Sequence, residues 1–353
     1  MTVNAKAPPV DPVAAIEAVR PTRVSRRLAG FLIALAALAV VIVLSLMVGA
    51  RAVPPTTVWQ ALTGDGTGRD ADVVRSLRLP RTVLGLLVGI GLGVSGALIQ
   101  AVTRNPLADP GILGVNFGSA FAVALGVGVL GVTAPIGYVW FAFGGALVTT
   151  VVVYLIGSAG RGPVSPARIT LAGVAIGAVL SGVTTSLVLA DPRRFNLMRA
   201  WEAGSFADRG WEPVVVATPF LLAGLAVAVT LGPSLNAVAL GDDLAHALGT
   251  RVVHTRVRSL VAITLLAGAA TAMAGPIAFV GLMIPHVARW IVGPDQRWII
   301  LYAILLAPTL AVAADVLGRV LLRSGEMQVG IVTAFLGAPV LILLVRRQRV
   351  SAL

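Results

Sequence analysis

The chain contains long stretches without a single ionisable side chain. Leu28–Ala50 and Thr82–Val102 carry no Asp, Glu, Lys or Arg, and each has about the 20 apolar residues that a helix needs to cross a bilayer. Residues 110–160 are also uncharged and are long enough for two crossings. Because lipid offers no hydrogen-bond partners, only helices and closed barrels can span it, and these runs lack the alternation of barrel strands. The sequence therefore predicts an all-α membrane protein.

Prolines, glycines and charged clusters between the apolar runs divide the chain into ten predicted transmembrane helices. An even number of crossings places both termini on one side. The excess of Lys and Arg in alternate connections, with Arg346, Arg347 and Arg349 at the C-terminus, favours a cytoplasmic location for both termini. The predicted spans are 28–50, 82–102, 112–130, 135–157, 168–190, 213–232, 257–275, 279–292, 297–321 and 328–346.

The first 27 residues are polar and contain several arginines and prolines, which predicts a disordered cytoplasmic tail before a transmembrane domain at 28–348. A cleavable signal peptide is the competing interpretation, since Ala50, Arg51 and Ala52 have the small-x-small form. The apolar run at 28–50 is longer than the 7–15 residues of such a signal, which favours an uncleaved first helix.

Composition excludes several functions. The net charge is +12, but the arginines are scattered among short connections, which argues against nucleic-acid binding. Cysteine is absent, so thiolate chemistry is impossible. Lys6 is the only lysine, and no phosphate-cradling GxxxxGK[ST] loop occurs. We predict no catalytic residue, no bound cofactor and no ATP site in this chain.

Small residues recur every fourth position in the second span, at Gly85, Gly89, Gly93 and Ala97. This spacing lets helix backbones approach closely in lipid. Packing inside the subunit is the favoured interpretation, and a lining of a transport path, with Gly89 and Gly93 as candidates, is the alternative.

The connection after the sixth span predicts a short capped helix. Asp242 suits an N-cap, Asp243 complements the helix dipole, and Gly249 suits a C-cap. Leu244 and Leu248 lie four residues apart on one face. A solvated loop is one interpretation; the other is a rigid knob that docks into a cytoplasmic partner. The residues of this candidate site are Leu240, Gly241, Asp242, Asp243, Leu244, Leu248 and Gly249.

Three arginines are predicted at the outer end of the bundle. Arg78 and Arg81 precede the second span, and Arg319 lies near the end of the ninth, four residues after Asp315. That order of acid and base favours an ion pair within the helix. Alternatively, the three guanidinium groups dock carboxylates of an external partner, because arginine binds carboxylates in a bidentate manner.

The long outer connection at 191–212 contains a second candidate site. Its aromatic residues either anchor at the membrane interface or cap the outer mouth of a pathway as a short gating helix. The gate candidates are Trp201, Gly204, Ser205 and Phe206.

His286 and Arg289 share one face of the eighth span. Ionisable groups inside a membrane mark function or internal pairing. With only three histidines in the chain, a metal site is disfavoured, and we expect the pair to brace the cytoplasmic end of the helix. Arg104, Asn105 and Pro106 form a polar cluster after the second span, where the chain leaves the membrane.

Four segments together resemble the permease subunits of ABC importers for ferric siderophores, haem and vitamin B12. The segments are RLPR at 78–81, RNPLADPGILG at 104–114, GPIAFVGLMIPHVAR at 275–289 and VGIVTAFLGAP at 329–339. The resemblance covers residues 28–348.

The resemblance implies a type II importer fold with ten helices and several partners. A second permease subunit, identical or paralogous, packs around a central pathway; two ATPase subunits, which hold ATP and Mg²⁺, bind at the cytoplasmic side; an extracytoplasmic substrate-binding protein binds outside. It also implies that the knob at about 235–250 is a coupling helix seated in the ATPase, that Arg78, Arg81 and Arg319 meet acidic residues of the binding protein, and that 201–206 belongs to the gate.

Three functions remain open. The expected one is ATP-driven import of a ferric siderophore across the bacterial cytoplasmic membrane, by alternating access. Haem or vitamin B12 is the alternative cargo in the same family. A carrier driven by an ion gradient is the alternative of another class, and it would want a buried carboxylate such as Asp315.

Overall fold

The protein is helical throughout the part that the structure describes. The computed structural model describes residues 12–132, 134–159, 166–192, 196, 198, 201–322 and 325–350, and no strand occurs among them. The helices are α1 (Pro12–Met47), α2 (Pro55–Thr63), α3 (Arg69–Val73), α4 (Leu79–Thr103), α5 (Val115–Gly128), α6 (Pro135–Ser158), α7 (Pro166–Ala190), α8 (Glu212–Ala239), α9 (Asp242–Ala247), α10 (Val252–Ala274), α11 (Val280–Val292), α12 (Gln296–Leu321) and α13 (Val329–Val350). The prediction of an all-α membrane protein is confirmed.

Each of the ten predicted spans coincides with one of these helices. Seven helices are long and apolar enough to cross a membrane, namely α1, α4, α6, α7, α8, α10 and α12. Three shorter apolar helices (α5, α11 and α13) occupy the remaining predicted spans. The number of crossings and the cytoplasmic location of the termini stay predictions, and below we call the two ends of the bundle the predicted outer end and the predicted cytoplasmic end.

Proline and glycine mark the helix boundaries as expected. Pro55 and Pro135 lie in the first turn of α2 and α6, where a missing N–H costs nothing. Gly64 ends α2 in the left-handed conformation, with φ of 97°. The break between the predicted spans 112–130 and 135–157 is present, with Gly131 at φ of 69° and α6 starting at Pro135.

Two regions differ from the sequence prediction. The α1 helix begins at Pro12, so helix extends through most of the segment at 1–27 that was predicted to be disordered; residues 1–11 lie outside the described residues. The connection between the first two spans also contains structure, because α2 and α3 occupy it, and a single turn of π-helix (Val74–Arg78) joins α3 to α4. In the first region, the good helix formers Ala14, Ala15, Glu17 and Ala18 favour helix before the apolar part of the span.

The α4 helix lies at the centre of the bundle. In α4 and α10, 78% of the most apolar window is buried, against 17% in α1 and α7. The α4 helix packs along α12, α10, α11 and α8. It therefore has neighbours on all sides, whereas α1 and α7 keep apolar faces free for lipid or for another subunit.

Glycines allow the close packing of α4. A Cβ atom at Gly89 would lie 2.4 Å from the Cα of Pro308, and one at Gly93 would lie 2.3 Å from the Cβ of Ala307. Both glycines thus face α12 and line no open space, so the favoured packing interpretation applies and their assignment to a pathway is wrong. A Cβ at Gly96 would lie 2.0 Å from the carbonyl oxygen of Gly281 in α11.

Replacing Gly96 with alanine should destabilise the bundle, because α4 and α11 would have to separate. We expect the free energy of unfolding to fall by about 1–3 kcal/mol, as for other overpacked cores. Gly144→Ala in α6 is the matched control: among the described residues, no atom outside the backbone of its own helix and its chain neighbours lies within 4 Å of its Cβ position. The added methyl group should therefore be neutral or stabilising. Denaturant titration of the two purified variants in detergent measures the difference. Equal stability of the two variants would contradict the predicted close contact.

Candidate functional site

The α9 helix is a short, well-terminated helix at the predicted cytoplasmic end. Gly241, at φ 108° and ψ 157°, precedes it in a conformation that is essentially restricted to glycine. The predicted N-cap at Asp242 is wrong, because Asp242 is the first helical residue and its side chain caps nothing. The C-terminal prediction is confirmed: Gly249 has φ of 78°, its N–H bonds the carbonyl of His246, and the N–H of Thr250 bonds that of Ala245. These two bonds form a Schellman motif.

One face of this segment is apolar and exposed. Leu240, Leu244 and Leu248 are 61%, 48% and 61% exposed. On the opposite face, Ala245 is buried in a small cluster with Val238 and Val252. The helix is thus fixed to the bundle by one face and presents a row of leucines on the other.

Asp242 points toward the bundle, and Asp243 is exposed. The carboxylate of Asp242 accepts a hydrogen bond of 3.0 Å from Nη2 of Arg104. It also accepts bonds of 2.9 and 3.0 Å from Nη2 of Arg256 in α10. The carboxylate therefore joins α9 to the ends of α4 and α10.

The segment at 104–114 forms an ordered turn below α4. Arg104 ends α4 in the left-handed conformation, with φ of 51°. The side chain of Asn105 accepts a bond of 2.9 Å from the N–H of Leu107. Asp109 accepts a bond of 2.8 Å from the N–H of Gly111 and caps a 3₁₀ turn at Pro110–Leu113; burial raises the pKa of its carboxyl above the usual range.

His286 braces the end of α11 against this turn and Arg289 braces it against α4, in agreement with the predicted bracing of the helix end. The carbonyl of Pro106 accepts a 2.7 Å hydrogen bond from Nε2 of His286. Arg289 donates to the side chain of Gln100 in α4, and Gln100 donates to the carbonyl of Leu282 at 3.1 Å. Among the described residues, no group of three or more His, Asp or Glu side chains could hold a metal ion.

At the predicted outer end, Asp315 binds two arginines. Arg319 donates to it from Nε at 3.1 Å, which confirms the predicted pair within α12. Arg81 donates from Nη2 at 2.8 Å and from Nε at 3.0 Å. Arg319 also donates from Nη1 to the carbonyls of Ser45 and Val48 at 2.7 and 3.0 Å. The cluster joins α1, α4 and α12.

The three arginines predicted to face a partner differ in accessibility. Arg78 is buried and donates to the carbonyls of Leu46, at 2.8 Å, and Arg51. Arg319 is also buried. Only the side chain of Arg81 is partly accessible, at 14%, and its Nη1 donates to Glu326 at 2.7 Å. Of the three, Arg78 and Arg319 hold the bundle together as they stand, and Arg81 lies at the surface.

A cavity of about 690 Å³ opens beside Arg81. Basic side chains outnumber acidic ones in its lining, and burial lowers the pKa of Arg209 to about 10. The charged lining residues are Arg51, Arg69, Asp70, Arg78, Arg81, Asp208, Arg209, Arg319 and Glu326.

The segment at 201–206 lies inside the bundle. Trp201 and Phe206 are each 1% exposed, so the interpretation as interface anchors is wrong. The N–H of Ser205 bonds the carbonyl of Ala274 at 2.8 Å, and the carbonyl of Gly204 accepts from Gly330 at 3.0 Å. The segment is held between the end of α10 and the start of α13, and its role as a gate stays a prediction.

Three residues of these networks were missed in the sequence. Gln100 had a signal, because it is an isolated amide in a span without charge. Arg256 and Glu326 had none, since their partners lie 14 residues or more away in sequence and their position depends on helix packing.

Comparison with known proteins identifies the family. The FecCD transport family matches residues 37–347, so the chain belongs to this family. The ferric enterobactin transport system permease protein FepD of Escherichia coli (strain K12) is 49% identical over 306 residues, which cover 86% of this chain and 91% of FepD. The hemin transport system permease protein HmuU of Yersinia pestis is 34% identical over 329 residues, which cover 92% of this chain and 96% of HmuU. A solved structure described as an inward-facing conformation of a metal-chelate type ABC transporter superimposes with a TM-score of 0.77 at 27% identity, over 90% of this chain and 98% of that chain.

The chain is therefore a multi-pass permease of the iron-siderophore, haem and vitamin B12 ABC importers, and it resides in the cytoplasmic membrane. Members of the family work with ATPase and binding-protein partners.

Replacing Asp315 with asparagine should destabilise the outer end strongly, because it leaves Arg81 and Arg319 without their shared carboxylate. Removing one partner of a buried pair costs about 3–5 kcal/mol. Asp70→Asn is the matched control, since its partner Arg51 is 72% exposed at 3.5 Å and the expected loss is below about 1 kcal/mol. Denaturant titration in detergent tests both. If the free energy of unfolding fell by a similar amount in the two variants, the buried cluster would contribute no more to stability than the exposed pair.

Proposed function

We propose that this chain is the translocation subunit of an importer that moves a ferric siderophore across the cytoplasmic membrane by alternating access, while separate ATPase subunits hydrolyse ATP. The relative named for ferric enterobactin shares 49% identity with the chain. Relatives named for hemin and for cobalamin share 34% and 37%. This difference supports the siderophore over the other two cargos.

The observation that carries the proposal is the leucine row of α9. An exposed apolar row at the end of a membrane bundle, on a helix with a defined C-terminal cap, is suited to a protein partner and unfavourable in water. The Schellman motif and the buried Ala245 fix its orientation. We assign α9 as the coupling helix, which transmits closure of the ATPase subunits to the permease.

The cavity beside Arg81 supports docking of the substrate-binding protein at the opposite end. Its lining carries six arginines and three acids, so an acidic surface is attracted to it. Arg81 is the docking residue among the three predicted ones, because its side chain is the most accessible of the three. In the free chain Glu326 occupies its outer nitrogen, and a carboxylate of the binding protein would compete with Glu326 for that position.

A second permease subunit fits the apolar faces that the chain leaves uncovered. The α7 helix is long and apolar, and only 17% of its most apolar window is buried. Rocking of two such subunits about a shared pathway would open it to alternate sides, with residues 201–206 as the gate at the outer end.

The arrangement argues against a carrier driven by an ion gradient. Such a carrier needs a carboxylate that can gain and lose a proton or a metal ion inside the membrane. Asp315, the acid that the sequence places within a span, is already occupied by ion pairs with Arg81 and Arg319.

Replacing Leu244 and Leu248 together with aspartate should abolish association with the ATPase subunits, because the docking surface becomes charged. The measurement is the amount of ATPase that copurifies with the affinity-tagged chain from membranes. Leu62→Asp in α2 is the control, since Leu62 is 46% exposed at the other end. Undiminished copurification of the double variant would refute the assignment of α9.

Two substitutions at the outer end should change binding-protein affinity in opposite directions. Arg81→Ala removes the docking charge and should weaken binding by about tenfold or more. Glu326→Gln removes the competing carboxylate and should strengthen binding at low salt, with the gain disappearing as salt screens it. Titration of the binding protein onto the complex in nanodiscs gives both values. Weaker binding by Glu326→Gln would show that Glu326 itself contacts the partner.

A further inference from the structure

Arg104 occupies a backbone conformation that does not suit an arginine. It ends α4 at φ 51° and ψ 30°, the left-handed region in which a side chain costs about 1 kcal/mol or more and glycine costs little. No local need of α4 explains this choice, since glycine at this position would satisfy the helix end better. A strained residue of this kind points to a use for its side chain.

The side chain of Arg104 has one ion-pair partner among the described residues, and that partner is on α9. Its Nη2 lies 3.0 Å from Oδ1 of Asp242. Gly241 supports the contact: its φ of 108° turns the chain toward α4, and a Cβ atom there would lie 3.8 Å from Nη1 of Arg104. Arg104 and Gly241, the residue before Asp242, thus both have backbone conformations that are unfavourable for most residues.

Arg256 completes the junction from α10. Its side chain is 12% exposed and lies 2.9 Å from Oδ2 of Asp242, and its buried Nε has no partner in the described part of the chain. Asp242 therefore neutralises two guanidinium groups from two enclosed helices. The apolar contact between α9 and the bundle is small, with Val238, Ala245 and Val252 as its buried members, and the ion pairs of Asp242 form a second contact between them.

We infer that Arg104 and Asp242 are positioning residues that make α9 move as one body with α4, so that displacement of the coupling helix is transmitted to the central helix. Arg104 is not part of the leucine row. Its function is to hold the end of α4 to α9. The other end of α4 carries Arg81, so the same rigid helix connects the two proposed docking sites over roughly 37 Å, at 1.5 Å per residue for its 25 residues.

The inference rests on the proposed coupling role of α9, and Arg104→Gly tests it separately. Glycine suits the left-handed position, so the melting temperature of the purified variant should stay the same or rise. The loss of the ion pair should reduce the stimulation of ATPase activity by cargo-loaded binding protein at least about fivefold, the lower end of usual coupling strengths. Copurification of the ATPase should stay intact, because the leucine row is unchanged.

A double-mutant cycle distinguishes this pair from unrelated defects. If the two residues act through one contact, Arg104→Gly combined with Asp242→Asn should lower the stimulated ATPase rate no further than the more severe single variant. Arg104→Lys keeps a charge at the site and should restore part of the stimulation. Arg258→Ala is the control for the loss of an arginine near Arg256 in α10. Among the described residues, the hydrogen bond of Arg258 goes to Thr230, at 2.9 Å, so the stimulation of this variant should match that of the unchanged protein.

The assay measures the rate of ATP hydrolysis by the complete complex in proteoliposomes, with and without cargo-loaded binding protein. The inference is overturned if loaded binding protein stimulates the ATPase of the Arg104→Gly variant as strongly as that of the unchanged protein. It is also overturned if stimulation is lost together with a fall in melting temperature. Additive effects in the double variant overturn it as well. None of these results affects the assignment of α9, whose own failure would appear as ATPase copurification that survives aspartate at Leu244 and Leu248.

Discussion

The absence of hydrogen-bond partners in the membrane governs this structure. Backbone polar groups within the bundle must be satisfied by the chain itself, and arginine helps to meet this demand because it offers five donors in a fixed fork. Arg319 distributes its donors over Asp315 and two carbonyls of α1. Arg289 uses the amide of Gln100 at the other end. The helices are apolar along their length, and their relative positions are fixed by such polar contacts at the ends together with close packing of glycine in the middle.

The helices were predictable because their signal is local. A run without charge reveals a span from composition alone, and each predicted span contains a helix. The end of α9 was also predictable, since Gly249 at a positive φ depends only on its neighbours. The start of α9 was not, because Gly241 takes a conformation that no pattern announces, and this shifts Asp242 from the cap into the first turn.

The partners of the polar residues could not be predicted from the sequence, because they depend on how distant helices pack. Arg78 and Arg81 are both arginines of the same RLPR segment. Arg78 nevertheless donates to the carbonyl of Leu46 at the end of α1, whereas Arg81 binds Asp315. Tryptophan is a residue type typical of interface anchors, but the segment of Trp201 enters the bundle because Gly275 and Gly330 leave space for its backbone. A Cβ atom at either glycine would lie within 2.3 Å of a carbonyl oxygen of the segment. Tertiary packing decided both positions.

The accessibility of each arginine separates structural roles from partner contacts. Arg78 and Arg319 are buried. Arg78 donates hydrogen bonds to backbone carbonyls, and Arg319 forms an ion pair with Asp315. Arg81 and Arg104 lie at opposite ends of α4, with side chains 14% and 38% exposed. Each is paired to a carboxylate that water can also reach, Glu326 at one end and Asp242 at the other. At the outer end, the partly exposed pair of Arg81 with Glu326 can exchange partners at low cost, whereas the buried pair of Arg81 with Asp315 cannot. At the other end, Asp242 binds Arg256 as well as Arg104, so two ion pairs hold the junction with α9. Binding of another protein can therefore alter contacts at the outer end without unfolding the bundle, and the rigid α4 helix connects that end to α9.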